Sequence, residues 1–303
     1  MKPQAECLRC ILTTRLREIE YSSLSPEEKI VLAKRVMSKL VNDFSLDSTE
    51  LTRLASDLFQ LTVTAPGVLD YYRLVKTQSM RRALALRDAH REHARYLDDY
   101  RRLRYLLKVS ALGNLIDYGV MDHNNINEEI DPGIAENVEI AIDDSVKFYE
   151  LVRRGGLKIV FLLDNAGEAV YDSLLVEYLR GKGNTTIGVV KDEPGFQNDV
   201  TLNDVIEVGL DKVFDEIVTP GCRGICSSIH LDKVSEDFKS LLNSVDLIIA
   251  KGMAHYEYLT DIDIGKPVLH IFIPKCHPIS RSLGSVTYRG KPVVYLRFPG
   301  LKP

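Results

Sequence analysis

The sequence predicts an α/β protein made of a helical N-terminal domain followed by a doubly wound, mostly parallel sheet. Residues 3–119 keep a helical apolar period nearly throughout. From Lys158 onward, short continuous apolar runs alternate with helical patterns, as in parallel strands joined by right-handed crossovers. Residues 286–298 then set Arg289-Gly290 between two apolar runs, which reads as a C-terminal β-hairpin. The division falls between residues 1–127 for the helical domain and 128–303 for the sheet-bearing domain.

In the helical part, Ser25-Pro26-Glu27-Glu28 is a helix start, with Ser as N-cap, Pro at the first helical position and acids in the first turn. Residues 47–50, Asp-Ser-Thr-Glu, look like another start. Ala65-Pro66-Gly67 interrupts the pattern, and a long charged helix follows over residues 69–95. Its Arg and Lys residues read as a solvated face. In the second part, residues 158–164 form an apolar, β-branched run, as expected of a strand covered on both faces. A helix over 168–180 stops at Gly181-Lys182-Gly183-Asn184. Strands over 186–190, 216–218, 245–250 and 268–273 continue the cycle, with helices near 202–208 and 235–243 between them.

Composition bounds the function. A chain of 303 residues, 45% hydrophobic and 27% charged, can bury a sizeable core without a disulfide or metal staple. A net charge of −4 favours neither nucleic acid nor an acidic membrane surface. The N-terminus leads into an amphipathic stretch, and no run approaches the roughly 18 apolar residues of a membrane helix. A cytoplasmic protein is expected. The odd number of cysteines, five, does not suggest a disulfide-stapled secreted scaffold.

Ligands of doubly wound sheets bind outside the carboxyl ends of the strands, so polar residues there carry the functional reading. Asp164-Asn165 follows the first apolar run, and Gly167 permits a tight turn into the next helix. Alone, this Asp-Asn pair reads as a helix cap. Lys191-Asp192 ends the second strand, and Asn198-Asp199 beyond it also reads as a cap. Lys251-Gly252 ends a third apolar run. Together, Asp and Asn oxygens from adjacent strand ends make a hard-ligand site suited to Mg²⁺ or Mn²⁺. A neighbouring lysine and helix N-termini supply what a phosphate needs. Positioning and charge stabilisation are most of phosphoryl-transfer catalysis.

At these residues the chain resembles the metal-dependent damage-control phosphatases, whose relatives pair a helical part with a Rossmann-like α/β part. Asp164-Asn165-Ala166-Gly167-Glu168 matches their motif without change, and Asn198-Asp199-Val200-Thr201 matches a second. Residues 251–257 match a Lys-Gly-x-x-Asn-Tyr-Glu motif, with His255 where Asn is usual. Gly113-Asn114-Leu115-Ile116-Asp117 resembles a Gly-Asn-x-x-Asp segment. Cys7, Cys10 and Cys276 are similar to those of the stand-alone prokaryotic, cysteine-bearing branch. The resemblance implies a phosphatase of small phosphorylated metabolites, dependent on Mg, Mn, Co or Ni. It implies that Asp164, Asn165 and Asp199 ligate the metal and that Lys251 holds the phosphate. Glu168 and Glu257 would orient neighbouring groups or handle protons. Asn114, Asp117, Lys251, Gly252 and His255 would contact substrate. Direct attack by water fits better than a phospho-aspartate, because Asp164 is more useful as a ligand.

Cys7-x-x-Cys10 has metal-ligand spacing, and Cys276 could join it, with Cys222, Cys226 and His277 as further candidates; free buried cysteine is the alternative. Two other functions compete. A Rossmann-type methyltransferase or nucleotide binder would need a Gly-rich loop after the first strand, where Asp164-Asn165-Ala166-Gly167-Glu168 stands instead. A non-enzymatic thiol-metal sensor or scaffold would rest on the cysteines.

Overall fold

The computed structural model describes residues 3–47, 50–116 and 130–300. Positions 48 and 49 of the second helix start, and Asp117, lie outside the described residues. The chain begins with α1 (Ala5–Tyr21), α2 (Pro26–Asp43), α3 (Leu51–Thr62), α4 (Val68–Arg95) and α5 (Asp99–Gly113). The start of α2 is a reciprocal cap: Glu28 N–H donates to Ser25 Oγ at 3.2 Å, and Ser25 N–H to Glu28 Oε2 at 2.8 Å. On α4, Tyr72, Val75, Met80, Ala83 and Ala94 face inward while Arg73, Arg81 and Arg82 are exposed. Lys76 departs from that solvated face: it is buried, with Nζ 2.8 Å from Asp204.

The second part runs α6 (Pro132–Asn137), β1 (Ile142–Asp143), α7 (Ser145–Val152), β2 (Lys158–Leu162), α8 (Ala166–Gly181), β3 (Thr185–Val189), α9 (Leu202–Glu207) and β4 (Glu216–Val218). It continues with α10 (Glu236–Ser244), β5 (Leu247–Lys251), α11 (Gly252–Leu259), β6 (Val268–Phe272), α12 (His277–Ser282) and β7 (Val293–Arg297). Among the described residues these strands form one sheet in the order β1-β7-β6-β5-β2-β3-β4, parallel except for β6 with β7. Strand β2 lies between β3 and β5, with Leu162 level with Val189 on one side and Ala250 on the other. The chain runs outward from β2 through β3 and β4, then returns to β5. Its carboxyl ends therefore meet at a topological switch point.

The expected hairpin over 286–298 is not there. Val286–Tyr288 is a single 3₁₀ turn that buries none of its side chains, so it has no apolar face to add to a sheet. Strand β7 pairs instead with β6, Ile271 opposite Val294. The edge of β6, a strand buried along its whole length, outcompetes the local turn signal.

One face of the sheet is covered by α4, α5 and α8, whose apolar residues share a core with Ile159, Phe161, Ile249 and Ile271. The other face is covered by α10 and α11 through Phe238, Leu242 and Leu259. Each such fully buried large side chain contributes about 1.5–3 kcal/mol. Helices α1 to α3 form a third cluster, against which Phe196 of the β3–α9 connection packs. Among the described residues, no helix is long and apolar enough to cross a membrane.

Candidate active site

Asp164 and Asn165 occupy the turn between β2 and α8. Asn165 holds the N-cap position but makes no side-chain cap hydrogen bond. Its Nδ2 donates instead to Asp164 Oδ2 at 3.1 Å and Glu168 Oε2 at 3.2 Å. Asn114, buried at the end of α5, donates to the same two oxygens at 3.0 and 2.7 Å. Two carboxamides thus hold two carboxylates together, which a simple cap would not require. Among the described residues, Asn114 Oδ1 is buried without a hydrogen-bond partner.

Asp199 is delivered by backbone pairing. Ala166 N–H donates to Asn198 C=O at 3.0 Å, and Val200 N–H to Asp164 C=O at 2.8 Å. Asn165 and Asp199 form an antiparallel bridge. The helix-start role read for Asn198-Asp199 falls to Thr201, whose N–H donates to Asp204 Oδ2 at 2.8 Å. Asp164, Asn165 and Asp199 are therefore brought together at neighbouring strand ends. Burial, then the charges of Asp199 and Glu168, push the Asp164 carboxyl well above the usual range, against the pull of Lys191 and Lys275.

The glycines serve close approach. Gly167 lies inside α8, and a Cβ there would come within 2.7 Å of Ser79 Cβ. Its role is the tight crossing of α4 over α8 rather than the turn expected from the sequence. Gly252, at φ +75°, passes directly over Asp164, and a Cβ would fall 1.9 Å from its Oδ2.

Lys251 is not placed as a phosphate contact. Its side chain is fully buried, and Nζ donates to Ser110 O at 2.8 Å and Ser110 Oγ at 2.7 Å. The same ammonium lies 2.9 Å from Glu168 Oε1 and 3.2 Å from Asp172 Oδ1. All four oxygens lie within 3.2 Å of an ammonium that exposes no surface. Burial opposes its charge, but Asp172 and Glu168 outweigh that and raise its pKa.

The cation beside Asp199 is Lys191, expected from the sequence only to end a strand. Its Nζ donates to Ser227 O at 2.7 Å and lies 3.5 Å from Asp199 Oδ2. Lys275, buried in the loop after β6, is the second lysine whose charge acts on Asp164. Each follows an apolar strand in a chain where only Lys251 carried a motif. That shared position was the signal available.

His255 is buried, with Nδ1 2.9 Å from Ser228 Oγ and Nε2 3.4 Å from Lys191 Nζ. Burial and Lys191 hold its imidazole well below the ordinary range, so it is neutral. Glu257 stands apart from the carboxylate pair, beside the thiols of Cys7 and Cys276, and burial raises it to about 7. Burial also pushes Cys276 up to about 12. Cys7, Cys10 and Cys276 lie within electrostatic range of one another. Among the described residues no group of three or more His, Cys, Asp or Glu is arranged to hold an ion, neither at these thiols nor at the Asp164, Glu168 and Asp199 carboxylates. Burial raises the thiols of Cys7 and Cys276 above their ordinary value. Cys222 and Cys226 face each other elsewhere, and the S–H of Cys222 and the ring of His230 lower the Cys226 thiol.

Residues 4–289 match the family model of the damage-control phosphatase ARMT1-like domain. An uncharacterized protein of Methanocaldococcus jannaschii is 30% identical over 288 residues, 94% of this chain and 92% of that one. A damage-control phosphatase of Archaeoglobus fulgidus is 30% identical over 256 residues, 84% of this chain and 83% of its own. The crystal structure of a DUF89 family protein from Pyrococcus horikoshii superposes with a TM-score of 0.78 at 25% identity, covering 97% of this chain and 98% of that one. With the family model spanning almost the whole chain, this protein belongs to the damage-control phosphatase ARMT1-like family.

Proposed function

We propose that this protein is a divalent-metal-dependent phosphomonoesterase acting on small phosphorylated metabolites, damaged sugar phosphates or related side products among them. The supporting observation is the convergence of Asp164, Asn165 and Asp199 at neighbouring strand ends, next to the Lys191 ammonium. Two carboxylates and a carboxamide are a hard-cation donor set. Their fit to a cation rests on the crowding already described: Asp164 is buried against Asp199 and Glu168, with the Gly252 backbone packed close over it. Asp164, Asn165 and Asp199 would hold Mg²⁺, Mn²⁺, Co²⁺ or Ni²⁺. Such an ion, when bound, supplies charge for the phosphoryl oxygens and lowers the pKa of water.

The chain's own residues do the rest. Lys191 and Lys275 balance the charge of an incoming phosphate. Neutral His255 accepts from Lys191 and keeps its ammonium turned toward Asp199. Lys251 fixes Glu168, and Glu168 with Asn114 fixes the rotamer of Asp164. That is a positioning chain, consistent with a reaction in which orientation supplies much of the rate.

A screen of phosphorylated metabolites with each of the four cations tests the proposal. Turnover that disappears with chelator and returns with one of these ions is expected. Asp164→Ala and Asp199→Ala should each abolish it while keeping the circular dichroism of the fold. Unchanged turnover in either variant, or in chelator, would defeat the assignment.

A further inference from the structure

The loop that delivers Asp199 is gripped from the other side by the helical domain. Gln197 is, among the described residues, the only non-glycine with a left-handed φ, at +54°. It is the second residue of the turn closed by Asp199 N–H donating to Phe196 C=O at 3.0 Å. An L side chain is seldom placed there without something holding it.

What holds it is visible. Gln197 Nε2 donates to Glu18 Oε1 at 3.3 Å and to Tyr72 OH at 3.2 Å. Glu18 is 1% exposed and is the hub of a network. Arg15 pairs with it at 2.8 Å, Tyr72 OH donates to it at 2.6 Å, and Thr62 Oγ1 donates to it through a short bond. The preceding residue, Phe196, packs edge-to-face on Phe59 at 5.1 Å, and the Arg15 guanidinium lies over both rings. Helices α1, α3 and α4 thus clamp residues 196 and 197, while residues 198 and 200 are stitched to the β2–α8 turn.

We infer that the Glu18–Tyr72–Gln197 network is a positioning device for Asp199, through which the helical domain sets the affinity of the site for its cation. This rests on the metal-dependent reading above. Glu18, Tyr72 and Gln197 act through the loop that carries Asp199, as positioning residues.

The test is Mn²⁺ binding by electron paramagnetic resonance titration of the full chain, comparing wild type, Asp199→Asn, Gln197→Gly, Tyr72→Phe and Glu18→Gln. Glycine suits the left-handed φ better than glutamine, so Gln197→Gly keeps the turn and the thermal midpoint while losing the carboxamide grip. Losing a residue that orients a metal ligand weakens affinity by about 10–100-fold. We expect about tenfold weaker Mn²⁺ binding in Gln197→Gly, a smaller loss in Tyr72→Phe, and an unchanged thermal midpoint in both. A purely structural network predicts unchanged Mn²⁺ affinity in Gln197→Gly. If wild type binds, Asp199→Asn does not, and Gln197→Gly matches wild type, the positioning role is overturned while the metal reading stands. No saturable binding by wild type overturns both. Should Glu18→Gln fail to fold, the glycine and phenylalanine variants decide the question by themselves.

Discussion

The Nζ of Lys251 lies 2.9 Å from Oε1 of Glu168, and neither side chain exposes any surface. Asp172, one turn further along α8, meets the same ammonium at 3.2 Å. One buried cation therefore serves two carboxylates on one helix face. Removing it leaves buried charges unpaired, which costs roughly 3–5 kcal/mol. Lys251→Met is expected to lower the urea midpoint by that order, with activity falling because Glu168 loses its orientation. Lys191→Met is expected to cost less stability and to raise KM for the phosphate ester at least about tenfold, the worth of one charged hydrogen bond. Urea melts with Mn²⁺ present, run beside steady-state kinetics, separate the two. A Lys251→Met protein of normal stability and raised KM would return the phosphate role to Lys251.

Gly252→Ala places a methyl group 1.9 Å from Asp164 Oδ2 at a backbone φ of +75°. The left-handed backbone alone costs about 1–2 kcal/mol for an L residue. The larger effect is on the site, because Asp164 must move to make room. Loss of turnover together with loss of Mn²⁺ affinity is expected. Isothermal titration calorimetry on the folded variant checks it, and wild-type affinity would mean that the 251–252 backbone yields instead.

Much of the site could be read in the chain, and the limits have physical causes. Asp164-Asn165 ends an apolar strand, and that position alone directs both side chains to the switch point. The partnership of Lys251 was not legible, because it depends on Asp172 and Ser110, and Ser110 lies 141 residues away. The spacing of Glu168 and Asp172, four residues apart on α8, was the available hint that an ammonium was wanted on that face. The final strand was misread because a Gly turn between apolar runs signals a hairpin locally, whereas the better partner was the buried edge of β6. Gln197 could not be singled out at all: its φ and its bond to Glu18, 179 residues away, exist only in the folded chain.

Burial, then Asp199 and Glu168, raise the Asp164 carboxyl, so the three carboxylates repel one another. Neutralising Asp199 should relieve that repulsion. Asp199→Asn is expected to abolish turnover yet to raise the thermal midpoint in chelator by a few degrees, since about 1 kcal/mol corresponds to roughly 2–4 °C at this size. Adding Mn²⁺ should stabilise the wild type and leave the variant unmoved. Differential scanning calorimetry with and without the ion checks both halves. A variant that melts lower than wild type in chelator would show that Lys191 and Lys275 already balance the charge.

His270 lies within β6, fully buried, with neither ring nitrogen hydrogen-bonded among the described residues and with Tyr256 and Tyr295 at 5.4 and 6.1 Å. Burial, aided by Arg297, lowers its pKa from 6.5 to about 3. The folded state therefore refuses a proton that the unfolded chain accepts below pH 6.5. Stability is fully present above that pH and falls as the pH drops toward 3, by about 1.4 kcal/mol per pH unit. Glu257 and Asp172, both raised to about 7, act in the opposite sense, favouring the folded state in acid and weakening it as pH rises toward 7. Wild type alone would thus show only the balance. His270→Phe keeps an aromatic ring between the two tyrosines and removes the titration. Urea unfolding of both proteins from pH 7 to pH 4.5 should give a difference in stability that grows steadily as the pH falls, in favour of the variant. Parallel curves would mean that the folded protein protonates His270, and with it that the β6 core admits a charge.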